Sequence, residues 1–185
     1  MNASSFGLIE PARRLKELVH PTKRSLRASH SHRMAAAPDQ LLLKTPNSKA
    51  ATDWSSDGRF ILYESQEPQT GSDLWAVDLK EPRKQFPLVQ TEFEEVNGQF
   101  SPDGKWIGYE SNESGRFEIY VQPFSRPGRK TQVSLKGGAQ VRWRRDGKAL
   151  LYIALDDRLT EVPLRFSASG QVVSQDPRFH SSRRI

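Results

Sequence analysis

A pattern of the form aromatic-x-x-Asp-Gly-basic-x-x-x-Tyr occurs three times in this sequence and constrains the fold more than any other feature. Its residues are Trp54, Asp57, Gly58 and Tyr63, then Phe100, Asp103, Gly104 and Tyr109, and then Trp143, Asp146, Gly147 and Tyr152. The aspartates of successive copies are 46 and 43 residues apart. The sequence therefore predicts a repeat protein whose unit is a supersecondary structure of about 40 to 50 residues.

Each repeat combines turn chemistry with strand-forming segments. In the middle copy, Pro102 favours the φ that a turn needs, Asp103 can bond to nearby backbone, and Gly104 accepts positive φ. The apolar segments that follow the turns, 60–63, 106–109 and 149–152, are typical of strands covered on both faces. The predicted strands of the middle unit are 96–101, 105–111, 118–124 and 130–135. Four strands in about 40 to 50 residues indicate a β-propeller blade, so the predicted fold class is all-β.

The predicted blades occupy about 51–91, 92–136 and 137–179, with an incomplete flanking strand at each end. Residues 41–44 are predicted to be the last strand of a preceding blade, and residues 171–185 to begin a connection into a following one. Closed propellers have about four to eight blades. The favoured interpretation of this partial β-propeller is a fragment of a longer protein. Association of copies through open blade edges and an open arc are the alternatives.

The repeats resemble the WD-repeat-like blades of TolB-type β-propellers. The resemblance rests on residues 54–58, 73–79 and 100–104 and covers about 41–185. Residues 117–124 and 142–148 are similar to the C-terminal propeller region of bacterial serine/threonine protein kinases. The resemblance implies a sensor or scaffold region joined to a signalling domain. Ser56 and Arg145 replace the usual proline, which is expected to loosen these two turns slightly.

Residues 1–40 do not fit the repeat. They form a basic tail that is predicted to be disordered or to contain one short helix, over 8–19. The chain has neither the apolar segment of a secretory signal nor about 18 apolar residues for a membrane span. It is therefore expected to be cytoplasmic as written, whereas the resemblance allows an extracytoplasmic location for full-length family propellers. The absence of cysteine excludes disulfides and thiolate catalysis.

Charge is unevenly distributed along the chain. Residues 1–50 contain nine basic and three acidic residues, and residues 51–185 contain nineteen of each. Within the repeats, 53–118 has fourteen acidic and six basic residues, whereas 126–148 has eight basic residues and one acidic. One interpretation is a binding face for a charged partner. The favoured one is a set of solvated strands and loops.

Candidate chemical sites have stronger structural interpretations. Three histidines, His20, His30 and His32, lie in the tail without carboxylates at helical spacing, so no metal site is predicted. The motif aspartates could be imagined as a calcium ring, but their repeat spacing favours separate hairpin turns. The motif aromatics could stack on nucleic acid, but their fixed positions favour an inter-blade core, and no nucleic acid partner is expected. The motif residues are therefore predicted to be structural, with no catalytic or cofactor-binding residue.

Enzyme motifs are missing from the sequence, which lacks the kinase signatures, a phosphate loop and a Gly-x-Ser-x-Gly elbow. The chain is therefore not expected to be an enzyme, and no cofactor is predicted. The favoured hypothesis is a non-enzymatic propeller segment of a larger signalling protein, which binds a protein or small ligand through its blade loops. The alternative is an accessory propeller of a serine/threonine kinase or hydrolase whose catalytic domain is absent from this chain. A gene remnant without selected function is a third possibility.

Overall fold

The computed structural model describes residues 19–22, 25–28, 40–80, 82–124, 128–167 and 171–180, and all regular elements in these ranges are β-strands. A first sheet contains β1 (Val19–Thr22), β2 (Ser25–Ala28) and β3 (Gln40–Lys44). The first blade contains β4 (Lys49–Trp54), β5 (Phe60–Glu67), β6 (Gly71–Asp78) and β7 (Lys84–Val89). The second contains β8 (Glu95–Phe100), β9 (Trp106–Ser111), β10 (Glu118–Pro123) and β11 (Thr131–Gln132). The third contains β12 (Ala139–Trp143), β13 (Ala149–Ile153), β14 (Leu159–Phe166), β15 (Val172–Ser174) and β16 (Arg178–His180).

Every pair of neighbouring strands is antiparallel, and the prediction of an all-β partial propeller is confirmed. In the middle blade, β8, β9 and β10 lie within one residue of the predicted bounds. Within the described ranges, no helix is long and apolar enough to cross a membrane.

The strand β11 is shorter than the predicted 130–135 because, beyond a last backbone bond from Val133 N to Ile119 O at 2.7 Å, side chains replace the ladder bonds. Ile119 N donates to Ser134 Oγ at 2.8 Å. The same Ser134 hydroxyl donates to Glu118, and Gly137 N donates to Glu118 Oε1 at 2.8 Å. The chain beyond Gln132 is therefore held by a buried serine and a buried glutamate, which no strand propensity indicates.

Two prolines explain why the outer strands are short or interrupted. Pro123 and Pro163 lie in β10 and β14, the third strands of their blades. Pairing of β11 with β10 is limited to Tyr120 and Val121 and stops before Pro123. β14 pairs with β15 over 164–166 and with β16 over 159–161, so the outer strand is split opposite Pro163. Because proline has no N–H, it cannot complete a ladder at these points.

The two flanks of the array differ from the predicted single strands. Residues 172–174 and 178–180, where the end of the predicted third blade (137–179) overlaps the predicted connection (171–185), form the split outer strand of the third blade. At the other end, residues 41–44 form most of β3, at the edge of the first sheet, as expected for the last strand of a preceding blade. The structure adds β1 and β2 within the segment that was assigned to the basic tail. The predicted helix over 8–19 lies, apart from Val19, outside the described residues.

Apolar side chains fill the space between consecutive blades. Leu62 and Leu74 of the first blade pack in one cluster with Ile107 and Tyr109 of the second, and all four are at most 1% exposed. We call the blade face that meets the next blade along the chain its leading face. Strand register gives the equivalent positions on the three leading faces. They are 62, 74 and 76 in the first blade, 108, 119 and 121 in the second, and 151, 159 and 161 in the third. Burial of one leucine side chain stabilises by about 1.5–3 kcal/mol, so packing between these faces contributes substantially to the stability of the array.

A glutamate on each of the first two leading faces bonds to the backbone of the next blade. Glu64 Oε1 accepts from Asn97 N at 2.7 Å, and Glu110 Oε1 accepts from Gln140 N at 2.6 Å. Both donors have positive φ, 55° and 58°, at bulges in the inner strands β8 and β12. We call these contacts carboxylate bridges. The equivalent residue of the third blade is Ile153, which carries no acceptor.

Candidate functional site

The first two Asp-Gly turns form the same hydrogen-bonded unit, and the third turn shares its backbone bonds. Asp103 Oδ1 accepts from Ser101 Oγ at 2.6 Å and from Lys105 N at 3.1 Å. The same bonds recur around Asp57. The N–H of the motif glycine closes each turn at 2.9, 2.9 and 2.8 Å, so the turns without proline close as tightly as the turn with it. The glycines have φ between 68° and 75°, which favours glycine over other residues.

Arginine replaces serine in the third turn. Arg144 stands where Ser55 and Ser101 stand in the other copies, and its Nε and Nη2 donate to Asp146 at 2.9 and 2.7 Å. These bonds from Arg144 lower the pKa of Asp146 to about 2. Nη1 of Arg144 also binds Glu161, a leading-face residue of the third blade. The third turn is therefore joined electrostatically to that face.

The turns of consecutive blades are neighbours, but they do not form a metal centre. Ser56 Oγ donates to Pro102 O at 3.1 Å, which joins the first and second turns. Among the described residues, no group of three or more histidine, cysteine or acidic side chains has an arrangement that could hold a metal ion. Of the tail histidines, His20 lies in β1, and His30 and His32 lie outside the described residues.

The motif aromatics lie between the blades. Tyr63, Tyr109 and Tyr152 are 1%, 1% and 5% exposed, and Phe100 is 6% exposed. Trp54 and Trp143 are partly buried. Trp143 Nε1 donates to Gln99 O in the second blade at 3.1 Å, and a Cβ on Gly108 would lie only 3.3 Å from the same nitrogen. The close approach of Trp143 to the second blade thus depends on the missing side chain at position 108.

In the described part of the chain, three carboxylates with raised pKa values lie between consecutive blades. Asp53 is 6% exposed and accepts from Phe100 N at 2.7 Å, and burial raises its pKa to about 6. Burial also raises the pKa of Glu64 and Glu110, the acceptors of the carboxylate bridges. Sequence reasoning missed these acids, because a single carboxylate in an apolar strand has no distinctive spacing.

A groove of about 680 Å³ opens between the first and second blades. Its apolar wall includes Phe60, Phe86 and Phe124, and the Phe60 and Phe124 rings pack edge to face with centroids 5.0 Å apart. Arg59 and Asp78 line it too and form an ion pair at 2.7 Å. The groove can receive an apolar group, but its rings already contact one another and its charges are already paired.

The leading face of the third blade is the more distinctive surface. Leu159 is 40% exposed, whereas the equivalent Leu74 and Ile119 are fully buried. Val173 on β15 is 56% exposed and lies on the same face, opposite Arg165 toward the other end of β14. Leu151 and Ile153 on β13 are only partly buried. This apolar surface is therefore a continuation of the inter-blade interface that no described blade covers.

Arginines surround this apolar surface. Three of them, Arg142, Arg165 and Arg178, are exposed. Strand register places them on the leading face, because they lie opposite Leu151, Val173 and Glu161, respectively. Within the ranges that the structure describes, none of the three forms an ion pair, and Arg142 donates to the backbone oxygen of Val141 at 2.7 Å. The surface thus combines an apolar centre with a basic margin.

Of the known proteins compared with this chain, only solved structures are similar to it. No family model matches the sequence, and no curated protein matches it. Among solved structures, it is similar to a TolB candidate from Agrobacterium tumefaciens, with 18% identity and a TM-score of 0.56 over 84% of this chain and 62% of that one. It is similar to TolB from Acinetobacter baumannii, with 16% identity and a TM-score of 0.54 over 83% and 41%. It is also similar to a 6-phosphogluconolactonase candidate from Bacteroides uniformis, with 14% identity and a TM-score of 0.55 over 85% and 52%.

At these identities the similarity is one of fold, and it confirms the resemblance to TolB-type β-propellers at that level. The chain spans 41% to 62% of the length of these solved structures. The connection to protein kinases stays a prediction.

Proposed function

We propose that this chain is a non-enzymatic β-propeller segment that serves as a protein-interaction platform through the leading face of its third blade. The observation that carries the proposal is the exposure of Leu159, at a position that is fully buried in both other blades. Contiguous apolar surface that is rimmed by polar residues marks interaction sites in soluble proteins. A signalling protein is the expected setting, because of the resemblance to kinase-linked propellers.

The proposed partner covers this face in the way that one blade covers another. In the first two blades, the cover consists of apolar side chains of the next blade, such as Ile107 of β9, which packs in one cluster with Leu62 and Leu74. Those contacts also include a carboxylate bridge to a bulged strand. In the third blade, Ile153 stands where Glu64 and Glu110 accept from the backbone of the next blade. A partner therefore needs no backbone N–H donor opposite position 153. It needs an apolar side chain instead.

Site-specific photocrosslinking tests this proposal. The photoreactive residue p-benzoylphenylalanine is placed at Val173 on the face and, in a separate control variant, at Leu135, which is 77% exposed and lies between β11 and β12. A discrete crosslinked adduct between the chain and a partner protein is expected from position 173 and not from position 135. Adding Leu159→Glu to the variant at position 173 is expected to remove the adduct, with circular dichroism verifying that the variant folds. Equal adducts from both positions, or an adduct that survives Leu159→Glu, would refute the platform.

A further inference from the structure

The arginines at the margin of the third leading face restrict the chemistry of a partner, and the inference drawn from them rests on the proposed function. Position 142 is occupied by arginine, whereas strand register places Asp53 and Gln99 at the equivalent sites of the first and second blades. The arginine at position 142 is therefore a property of the third blade and is not part of the repeat.

Among the described residues, one acidic side chain, Glu161, lies at the centre of this face, and it is already engaged. Glu161 lies opposite Leu151 and is bound by Arg144 from the neighbouring turn. In the part of the chain that the structure describes, Arg142, Arg165 and Arg178 form no direct ion pair on this face. Arg178 nevertheless lies opposite Glu161, Arg142 acts electrostatically on Asp53 and Glu110, and Arg165 Nε lies 2.9 Å from the side-chain amide of Gln175. Guanidinium groups bind carboxylates through paired, charge-assisted hydrogen bonds, and arginine is enriched at interface hot spots.

We infer that the partner is a different protein whose docking surface has an apolar centre and an acidic margin. Two copies of this chain that met through this face would bring like charges together, which opposes self-association. A nucleic acid would satisfy the arginines through its phosphates but would leave Leu159 and Val173 without apolar contact. A protein surface with carboxylates around aliphatic side chains satisfies both parts of the face.

Two charge-matched triple variants test the inference in the crosslinking system, with the photoreactive residue at position 173. The first variant is Arg142→Gln, Arg165→Gln and Arg178→Gln. The second removes the same charge from exposed residues away from the face, by Lys84→Gln, Arg129→Gln and Lys136→Gln. Adduct yield is expected to fall on the order of tenfold in the first variant, because three marginal ion pairs are lost, and to stay unchanged in the second. Mass spectrometry is expected to identify a partner segment with an excess of aspartate and glutamate.

Other outcomes overturn the inference without ambiguity. Equal losses in the two triple variants would show an effect of net charge alone. An adduct of twice the mass of the chain would identify a second copy, and an adduct that nuclease removes would identify nucleic acid. If Leu159→Glu abolishes the adduct while the first triple variant does not, the platform stands and the acidic margin is refuted. If Leu159→Glu has no effect, the proposed function itself fails.

Discussion

Replacing Glu110 with alanine removes the carboxylate bridge between the second and third blades. Glu110 is 4% exposed, and its Oε1 lies 2.6 Å from Gln140 N and 3.4 Å from Val141 N. A buried donor that loses its partner costs about 1–3 kcal/mol. Part of this cost is offset, because burial raises the pKa of Glu110 and the variant no longer has to desolvate a carboxylate. The expected loss in the free energy of unfolding at pH 7 is about 2 kcal/mol.

Glu110→Gln separates the acceptor from the charge. Its amide oxygen can still accept from Gln140 N, and it carries no charge to desolvate, so we expect it to lie within about 1 kcal/mol of the wild type. Glu92→Gln is the matched control, because Glu92 is exposed and its replacement should change the free energy of unfolding by less than about 0.5 kcal/mol.

Urea unfolding at pH 7, followed by tryptophan fluorescence, measures these differences as shifts of the midpoint at constant slope. The reasoning is refuted if Glu110→Ala stays within about 0.5 kcal/mol of the wild type, which is the range of neutral surface substitutions. It is also refuted if Glu110→Gln is as damaging as Glu110→Ala, because the bridge would then depend on charge rather than on a hydrogen-bond acceptor.

Three further predictions follow from other contacts. Burial raises the pKa of Asp53 from 3.8 to about 6, so the folded protein keeps a proton that the unfolded chain releases in this range. The free energy of unfolding should therefore fall by up to about 3 kcal/mol as pH rises from 3.8 to about 6. Asp53→Asn should flatten this dependence of the free energy of unfolding on pH, measured by urea titrations. An unchanged dependence would contradict the raised pKa of Asp53. Arg144→Ala, which removes the guanidinium without supplying the serine hydroxyl that lowers the pKa of Asp57 in the first turn, should raise the pKa of Asp146 from about 2 towards its ordinary value in an NMR titration, and no change would exclude the Arg144 contact as the cause. Gly108→Val should cost about 1–3 kcal/mol, with Gly108→Ala intermediate, because the added side chain meets Trp143 Nε1 and Leu150 Cδ2, and a valine variant with the wild-type melting temperature would refute this contact.

The turns and the inner strands could be predicted from the sequence because their chemistry is local. The bonds from Ser101 Oγ and Lys105 N to Asp103 join residues at most two positions apart, so the motif itself specifies them. The outer strands could not be predicted in the same way. The shortness of β11 depends on Ser134 and Glu118, which are 16 residues apart in the chain.

The candidate site could not be predicted, because exposure of the third leading face is a property of position in the array. Segment 149–153 is as apolar as its equivalents in the other blades, and its sequence carries no sign that one face lacks a cover. The role of Arg144 was missed for a related reason. The missing proline at Arg145 is visible in the motif, but the replacement that matters is Arg144, at the position where the other turns have serine. Arg144 reaches Glu161 on a different strand.

The prolines of the third strands also affect how molecules of this chain meet in concentrated solution. A long, continuous outer strand is a template on which another molecule can add a strand, and chains of such additions lead to fibrils. Here β11 has two residues, and β15 and β16 have three each, separated by a gap opposite Pro163. Such short segments offer too few consecutive donors and acceptors for strand addition. The second and third blades therefore resist edge-to-edge polymerisation while the leading face of the third blade stays available for packing.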